Sequence, residues 1–200
     1  MKTKKRKRFF NFPEEYRKSW KYIKESRKFI YFIIGIFLLF VLIGLFIPAP
    51  ESVYNKIMEF IKELFEKTQY MSQLELTNFI IFNNLQSTFF GIFFGMFLGI
   101  FPVISAIANG YVLGFVALIS INNGGILSLW RIFPHGIFEL PAVFISLGMG
   151  LRLGMFIFQK KKIESFKNYL INSLRTFFFV IIPLLIIAGI IEGAFMVLIG

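Results

Sequence analysis

Residues 29–47 read FIYFIIGIFLLFVLIGLFI, nineteen residues without a charge. A helix of that length rises 1.5 Å per residue and therefore crosses a hydrocarbon core of about 30 Å. The basic segment that precedes it, residues 1–28, is far too long for the first region of a cleaved signal peptide. We therefore predict an uncleaved first transmembrane helix behind a basic cytoplasmic N-terminal segment.

The rest of the chain has the same apolar character. Hydrophobic residues make up 56% of the sequence and charged residues only 16%, whereas a soluble domain carries about a quarter charged residues. Residues 29–200 are predicted to form one membrane domain, an all-α polytopic helical bundle of about five transmembrane helices. The predicted spans are residues 29–47, 87–104, 106–121, 141–158 and 177–199.

The net charge of +11 comes largely from one place, because twelve of the 22 basic residues lie in the first 28 positions. Such a segment beside a span is typical of a cytoplasmic flank that contacts anionic membrane lipids. No nucleic-acid recognition module accompanies the charge, so we expect no nucleic-acid partner. A second basic segment, residues 160–175, is also predicted to be cytoplasmic. Five spans then place the N-terminus in the cytoplasm and the C-terminus outside the cell membrane.

Residues 51–68 differ from the spans in pattern. Apolar residues recur there at intervals of three and four, while lysines and glutamates face away. This periodicity predicts an amphipathic helix. Because it follows an outgoing span, it should lie outside the cell, either flat on the membrane or packed over neighbouring spans. It is also the surface that we expect to contact a protein partner.

Small residues at four-residue spacing mark two of the predicted spans. Such stripes allow close helix contact in lipid and predict helix packing and a homo-oligomer. Pro102 is predicted to kink or end the second span, and Asn109–Gly110 to form a tight turn or a helix break. The glycines assigned to helix packing are Gly91, Gly95, Gly99, Gly110 and Gly114.

Ionisable residues lie within the apolar stretch before and inside the fourth span. Pro134 and Pro141 punctuate it, which predicts a short half-helix over residues 132–140 and then the span from Pro141. Polar groups in spans are costly and usually face the bundle interior or water. Arg131, His135 and Glu139 are four apart and share a helix face, and Glu192 falls at a similar depth. Arg152 is expected to extend toward the cytoplasmic lysines.

Three interpretations of this cluster stay open. The first is structural, with Glu139 ion-paired or hydrogen-bonded between helices. The second is a proton or cation site beside a broken helix. The third is a metal site, for which one histidine, two glutamates and no cysteine supply too few ligands. We therefore expect no metal and no cofactor. We also expect no enzyme, since a histidine four residues before a glutamate is not in itself a catalytic signature.

Several short motifs occur in a characteristic order. Asn83-Asn84, Gly91 and Gly95 come first, Asn109-Gly110 follows, and then His135-Gly136-Ile137-Phe138-Glu139-Leu140-Pro141 and Gly150-Leu151-Arg152-Leu153-Gly154. In this order the chain resembles the stage II sporulation protein M family. The resemblance implies a polytopic membrane protein without a known enzymatic activity, which in spore formers is a scaffold for cell-wall hydrolases. If the family has a chemical centre, the resemblance places it at His135 and Glu139. Asn84, Asn109 and Arg152 would then be its supporting residues.

Two functions are therefore expected. The first is a non-enzymatic membrane scaffold or assembly factor, which the amphipathic helix and the absence of a soluble catalytic domain favour. The alternative is a component of a transporter or channel that uses His135 and Glu139 within the membrane.

Overall fold

The computed structural model describes residues 11–131 and 133–199, and it describes side chains throughout these ranges except for residues 130–138 and 192–199. All regular elements in these ranges are helical, which confirms the predicted all-α class. Within the described ranges seven α-helices follow one another: α1 Phe12–Phe46, α2 Glu51–Thr68, α3 Gln73–Phe93, α4 Ile100–Gly124, α5 Phe133–Gly154, α6 Lys162–Thr176 and α7 Ile182–Ile199. Short 3₁₀ segments follow α3, α4 and α5, and a π-helical segment, Phe177–Ile181, joins α6 to α7.

Five of the described helices are long and apolar enough to cross a membrane, which confirms the polytopic bundle. They are Phe12–Phe46, Gln73–Met96, Ile100–Gly124, Glu139–Phe158 and Lys162–Ile191. The first is longer than a bilayer requires, because the charged residues 12–28 continue the apolar residues 29–46 in one helix. We call residues 12–28 the α1 extension.

The second and third crossings are separated by a tight turn before Pro102. Leu98 and Gly99 both have positive φ, 59° and 71°, and α4 begins at Ile100. Pro102 therefore lies in the first turn of α4, where its missing N–H is not needed by the helix. The second crossing also begins well before residue 87, because polar residues on α3 shorten the apolar run but not the helix.

The predicted turn or break at Asn109–Gly110 is wrong, since both residues lie inside α4. The Asn109 side chain donates to the Ser105 carbonyl one turn earlier, at 2.8 Å. Gly110 is buried against the backbone of Phe37 on α1, so an added Cβ would overlap the Phe37 carbonyl. In a soluble protein an Asn-Gly pair often marks a turn or the end of a helix. Here the pair lies inside α4, and Gly110 allows α4 to approach α1 closely.

The predicted boundary between a half-helix and the fourth span is also absent at Pro141. The helix α5 continues through that residue as one element, and Pro134 lies in its first turn. Proline removes one backbone hydrogen bond, but neighbouring helices in a membrane bundle make such an interruption tolerable.

The central helix of the bundle is α5, which contacts α1, α3, α4, α6 and α7. Its residues Ser146, Leu147, Met149 and Leu153 are almost fully buried. The neighbouring helices α3 and α4 contact each other little. A cleft therefore opens between them, with α5 behind it.

The glycine stripes are occupied by helices of the same chain. A Cβ added at Gly95 would overlap the backbone of Gly150, and one added at Gly114 would overlap the carbonyl of Val41. Gly91 and Gly99 pack against Leu147 and Leu151 of α5. These stripes hold α3 and the turn after it against α5, and α4 against α1. The predicted homo-oligomer itself stays a prediction.

Candidate functional site

Two polar residues from different crossings meet inside the bundle. Asn84 of α3 donates through Nδ2 to Oε1 of Glu139 on α5, and both side chains are half-buried. Residues 83–88 of α3 form a polar interruption of its apolar run, and the helix rotates Asn84 toward α5. A hydrogen bond with a carboxyl group as acceptor is stronger than one between neutral partners when that carboxyl is ionised.

One turn further along α3, a second polar contact joins the same two helices. Ser146 of α5 donates through Oγ to the backbone carbonyl of Thr88 at 2.5 Å. Thr88 in turn donates its own hydroxyl to the Asn84 carbonyl at 2.6 Å. Thr88 and Ser146 are both buried, at 2% and 0% exposure. The pair Asn84–Glu139 and the pair Thr88–Ser146 therefore form a ladder of polar contacts between α3 and α5.

A cavity of about 340 Å³ opens beside this ladder. We call it the polar cleft. It lies between α3 and α4, and Val143 and Leu147 of α5 form its floor. The side chains that line it are mostly uncharged and polar: Asn83, Asn84, Gln86, Ser87, Thr88, Ser105 and Asn109, with Phe90 and Phe101.

The structure brings together part of the predicted cluster. Asn84 and Glu139 are hydrogen-bonded, and Asn109 lines the same cleft. The Asn109 amide, however, donates to Ser105 of its own helix. The sequence also predicts that Arg131, His135 and Glu192 belong to this cluster, but their side chains are outside the described part of the structure.

Comparison with known proteins decides the family. The family model described as stage II sporulation protein M matches residues 32–195, which is most of the chain. The chain belongs to the stage II sporulation protein M family. No curated protein and no solved structure matches it significantly.

The matched region of this stage II sporulation protein M relative includes the last four crossings and most of the apolar part of the first, together with Asn84, Glu139 and the polar cleft. It begins after the α1 extension. It also includes Arg152, which is the centre of a second polar site that this extension completes.

Arg152 of α5 lies against the α1 extension and is only 13% exposed. Its guanidinium donates to Ser26 Oγ at 2.9 Å and to Glu25 Oε2 at 3.2 Å. It also lies over two aromatic rings, 4.4 Å from the Tyr22 centroid and 5.0 Å from that of Tyr169 on α6. Arg152 is therefore held between aromatic faces and hydroxyl groups, where the sequence predicts an arginine extended toward the cytoplasmic lysines.

Tyr22, Ser26, Thr88 and Ser146 are site residues that sequence reasoning missed. The α1 extension carried a usable signal, because Ser19, Tyr22 and Ser26 recur at three and four residues on one face of an otherwise charged helix, and all three are buried. Thr88 and Ser146 gave no comparable signal. Their importance depends on which residue of the partner helix lies opposite.

The chemistry of the described side chains is that of hydrogen bonding between helices. Among them, no three histidine, cysteine, aspartate or glutamate residues lie close enough to hold one metal ion. Glu139 contacts an amide and Arg152 contacts hydroxyl, carboxylate and aromatic groups. Both sites can join helices, and the polar cleft can also accept a polar group from outside the chain.

Proposed function

We propose that this chain is a non-enzymatic membrane scaffold or assembly factor. The observation that carries the proposal is the use of its intramembrane polar groups. Asn84, Glu139, Thr88 and Ser146 join α3 to α5, and Arg152 joins α5 to the α1 extension. Placing a polar group in a bilayer costs free energy. In this chain these groups fix the relative positions of its helices.

A scaffold also needs surfaces that contact other molecules, and we propose one at each end of the bundle. At one end, α2 touches the bundle through the Tyr54 ring, 5.5 Å from Phe115, and through buried Ile57. The large apolar side chains of Phe60 and Phe65 on α2 are 57% and 64% exposed. We propose that this end is extracytoplasmic and that α2 contacts a protein partner there.

At the other end, the α1 extension and α6 pack together as a helical pair. Arg175 of α6 bonds Glu15 of α1 at 2.5 Å, and the Tyr22 hydroxyl lies 3.3 Å from that of Ser173. Exposed lysines and arginines cover the outside of the pair. We propose that this pair is cytoplasmic and contacts anionic lipid head groups.

The scaffold proposal is tested by site-specific photo-cross-linking in native membranes. A photoreactive residue at Phe65 should give one discrete protein adduct, whereas the same residue at lipid-facing Leu39, which is 53% exposed, should not. The substitution Leu64→Glu should remove the adduct, and deletion of the chain should redistribute the adduct's protein component in the cell. If no adduct depends on Leu64, or if that protein keeps its location without the chain, the proposal fails.

A transporter or channel component is the second candidate, and the polar cleft favours it. Its lining of amides and hydroxyls could contact a hydrated solute, and Asn84 connects it to Glu139. Purified chain in liposomes should then conduct an ion or a small polar solute. Glu139→Gln and His135→Ala should lower that flux, with Leu39→Ala as the control. Flux that is absent for every solute tested, or unchanged in both variants, would reject this candidate.

A further inference from the structure

An uncharged polar stripe faces outward from α3 at the depth of the lipid tails. Asn83, Gln86 and Ser87 lie on one face of the helix, and all three are exposed. Exposed phenylalanines lie on both sides of the stripe along the helix, Phe82 at 72% and Phe93 at 41%. Exposed aromatic side chains at both ends are consistent with a stripe that lies within the hydrocarbon layer.

The same depth follows from helix geometry. At 1.5 Å per residue, Asn83 lies about 20 Å along α3 from the turn at Leu98–Gly99, and Asn109 lies about 15 Å along α4 from it. The hydrocarbon core is about 30 Å thick. The polar cleft therefore opens sideways, near the middle of the membrane, and away from both head-group layers.

The amides of this stripe need partners that the described part of the chain does not supply. Within the described part of the chain, neither the Asn83 nor the Gln86 side chain forms a hydrogen bond. Across the cleft, Asn109 is exposed and donates its amide N–H to Ser105 of its own helix. Polar groups without partners are strongly disfavoured in hydrocarbon. Another molecule should therefore cover the cleft.

We propose that a second copy of this chain covers the polar cleft, in a twofold dimer with the α3 stripes facing each other. Asparagine and glutamine amides both donate and accept, so a stripe of Asn83, Gln86 and Ser87 is complementary to itself. An isologous interface requires that property. Amide and hydroxyl side chains also form hydrogen bonds between membrane helices.

The chemistry of the cleft disfavours a lipid head group as the occupant. Among the described residues that line it there is no lysine or arginine, so a phosphate would find no cation in that lining. The head groups also lie well above and below the middle of the bilayer. The glycine stripes are not available to join two copies, because α1 and α5 of the same chain already pack against them.

Cysteine cross-linking in liposomes tests the dimer directly, because the natural chain contains no cysteine. Single variants Asn83→Cys, Gln86→Cys and Ser87→Cys, treated with a short thiol-specific bifunctional reagent, should give a covalent dimer. Leu39→Cys, at a lipid-facing position of α1, should stay monomeric. If the α3 variants cross-link no better than Leu39→Cys, the dimer is refuted. Rapid reaction of Ser87→Cys with a membrane-impermeant thiol reagent, without cross-linking, would also refute it and indicate a water-filled cleft.

A second measurement avoids cysteine chemistry. The double substitution Asn83→Leu/Gln86→Leu replaces two amides of the stripe with side chains that lipid accepts, and neither amide forms a hydrogen bond within the described residues. Its dimer dissociation constant, measured by energy transfer between labelled copies at varied protein-to-lipid ratios, should rise about tenfold. The control Phe82→Leu should leave it unchanged. An unchanged constant in the double variant would contradict the proposal.

This inference is independent of the scaffold proposal. If Phe65 gives no photo-adduct but the dimer still forms, the scaffold proposal fails and the α3 dimer interface stands. If the Ser87→Cys variant does not cross-link but the photo-adduct is still observed, the dimer fails and the scaffold proposal stands.

Discussion

Asn84 and Glu139 are 55 residues apart in the chain and are joined by a hydrogen bond between their side chains. The bond connects the second crossing to the fourth, and Asn83, the preceding residue, faces the open cleft instead. Two adjacent asparagines thus have different roles, and this difference provides a matched test.

We expect Asn84→Leu to lower the free energy of unfolding by about 1–2 kcal/mol, because Glu139 loses a donor inside the bundle. Asn83→Leu should change it little in monomeric, detergent-solubilised protein, because that side chain forms no hydrogen bond within the described chain. Equilibrium unfolding in mixed micelles with increasing SDS measures both. Equal stability of the two variants would show that the Asn84–Glu139 bond contributes nothing.

Arg152 should be the most sensitive charged residue of the fourth crossing. Arg152→Gln removes the contacts with the Tyr22 and Tyr169 rings and the bond to Ser26, and should cost about 2 kcal/mol. Arg152→Lys should restore only part of this, because a point charge cannot replace the planar guanidinium. Arg27→Gln, at an exposed position, is the control. The same unfolding assay measures these variants. If Arg152→Lys is as stable as the natural protein, the planar shape of the guanidinium is not needed.

Gly95 should not tolerate a methyl group. An added Cβ would overlap the backbone of Gly150, so Gly95→Ala should force α3 away from α5 and destabilise the fold by about 1–3 kcal/mol. Gly35→Ala is the control, because its Cβ would meet no atom within 4 Å and alanine favours the helix. It should be neutral or stabilising in thermal unfolding. A tolerated Gly95→Ala would mean that this contact is looser than described.

Acid should loosen the α1 extension from α6. Glu15 lies in the charged extension, outside the apolar span, and the hydrogen bonds from Lys18 and Arg175 lower its pKa below the ordinary value of 4.5. Because the pKa is lower in the folded state, the stabilisation is complete above the unfolded pKa and is lost as pH falls through the folded pKa.

Thermal stability measured between about pH 6 and 3 should therefore fall less steeply in Glu15→Gln than in the natural chain. Glu164→Gln is the control, because that carboxylate is 71% exposed in its pair with Lys161 and such a pair contributes little. If Glu15→Gln leaves the pH profile unchanged, the bond to Arg175 does not hold the extension.

The proposed orientation is checked with single cysteines in the cysteine-free chain. In right-side-out vesicles, an impermeant thiol reagent should label Glu63→Cys on α2 and leave Lys18→Cys and Lys161→Cys unlabelled until the vesicles are opened. If the Lys18→Cys and Lys161→Cys variants are labelled from opposite sides of the vesicle membrane, the five-crossing arrangement itself is wrong.

The sequence alone determined the all-α class and the presence of about five apolar helices long enough to cross a membrane. The charge-free run of residues 29–47 and the three-four spacing of residues 51–68 predict a span and an amphipathic helix, and α1 and α2 occur there. Hydropathy and periodicity are properties of neighbouring residues, so they can be read without knowing what packs against them. The ends of α3 and α4 were less predictable, because the polar residues that face the cleft interrupt the apolar run without ending the helix.

Only the tertiary structure decided how the polar residues are used. The motif that carries Asn84 and Glu139 marked both as candidates, but their hydrogen bond depends on the rotation of α3 against α5. The same rotation turned Asn83 and Gln86 outward, and the packing of α5 placed Arg152 between Tyr22 and Tyr169. Helix rotation is set by contacts between residues far apart in the chain, and a local pattern does not contain it.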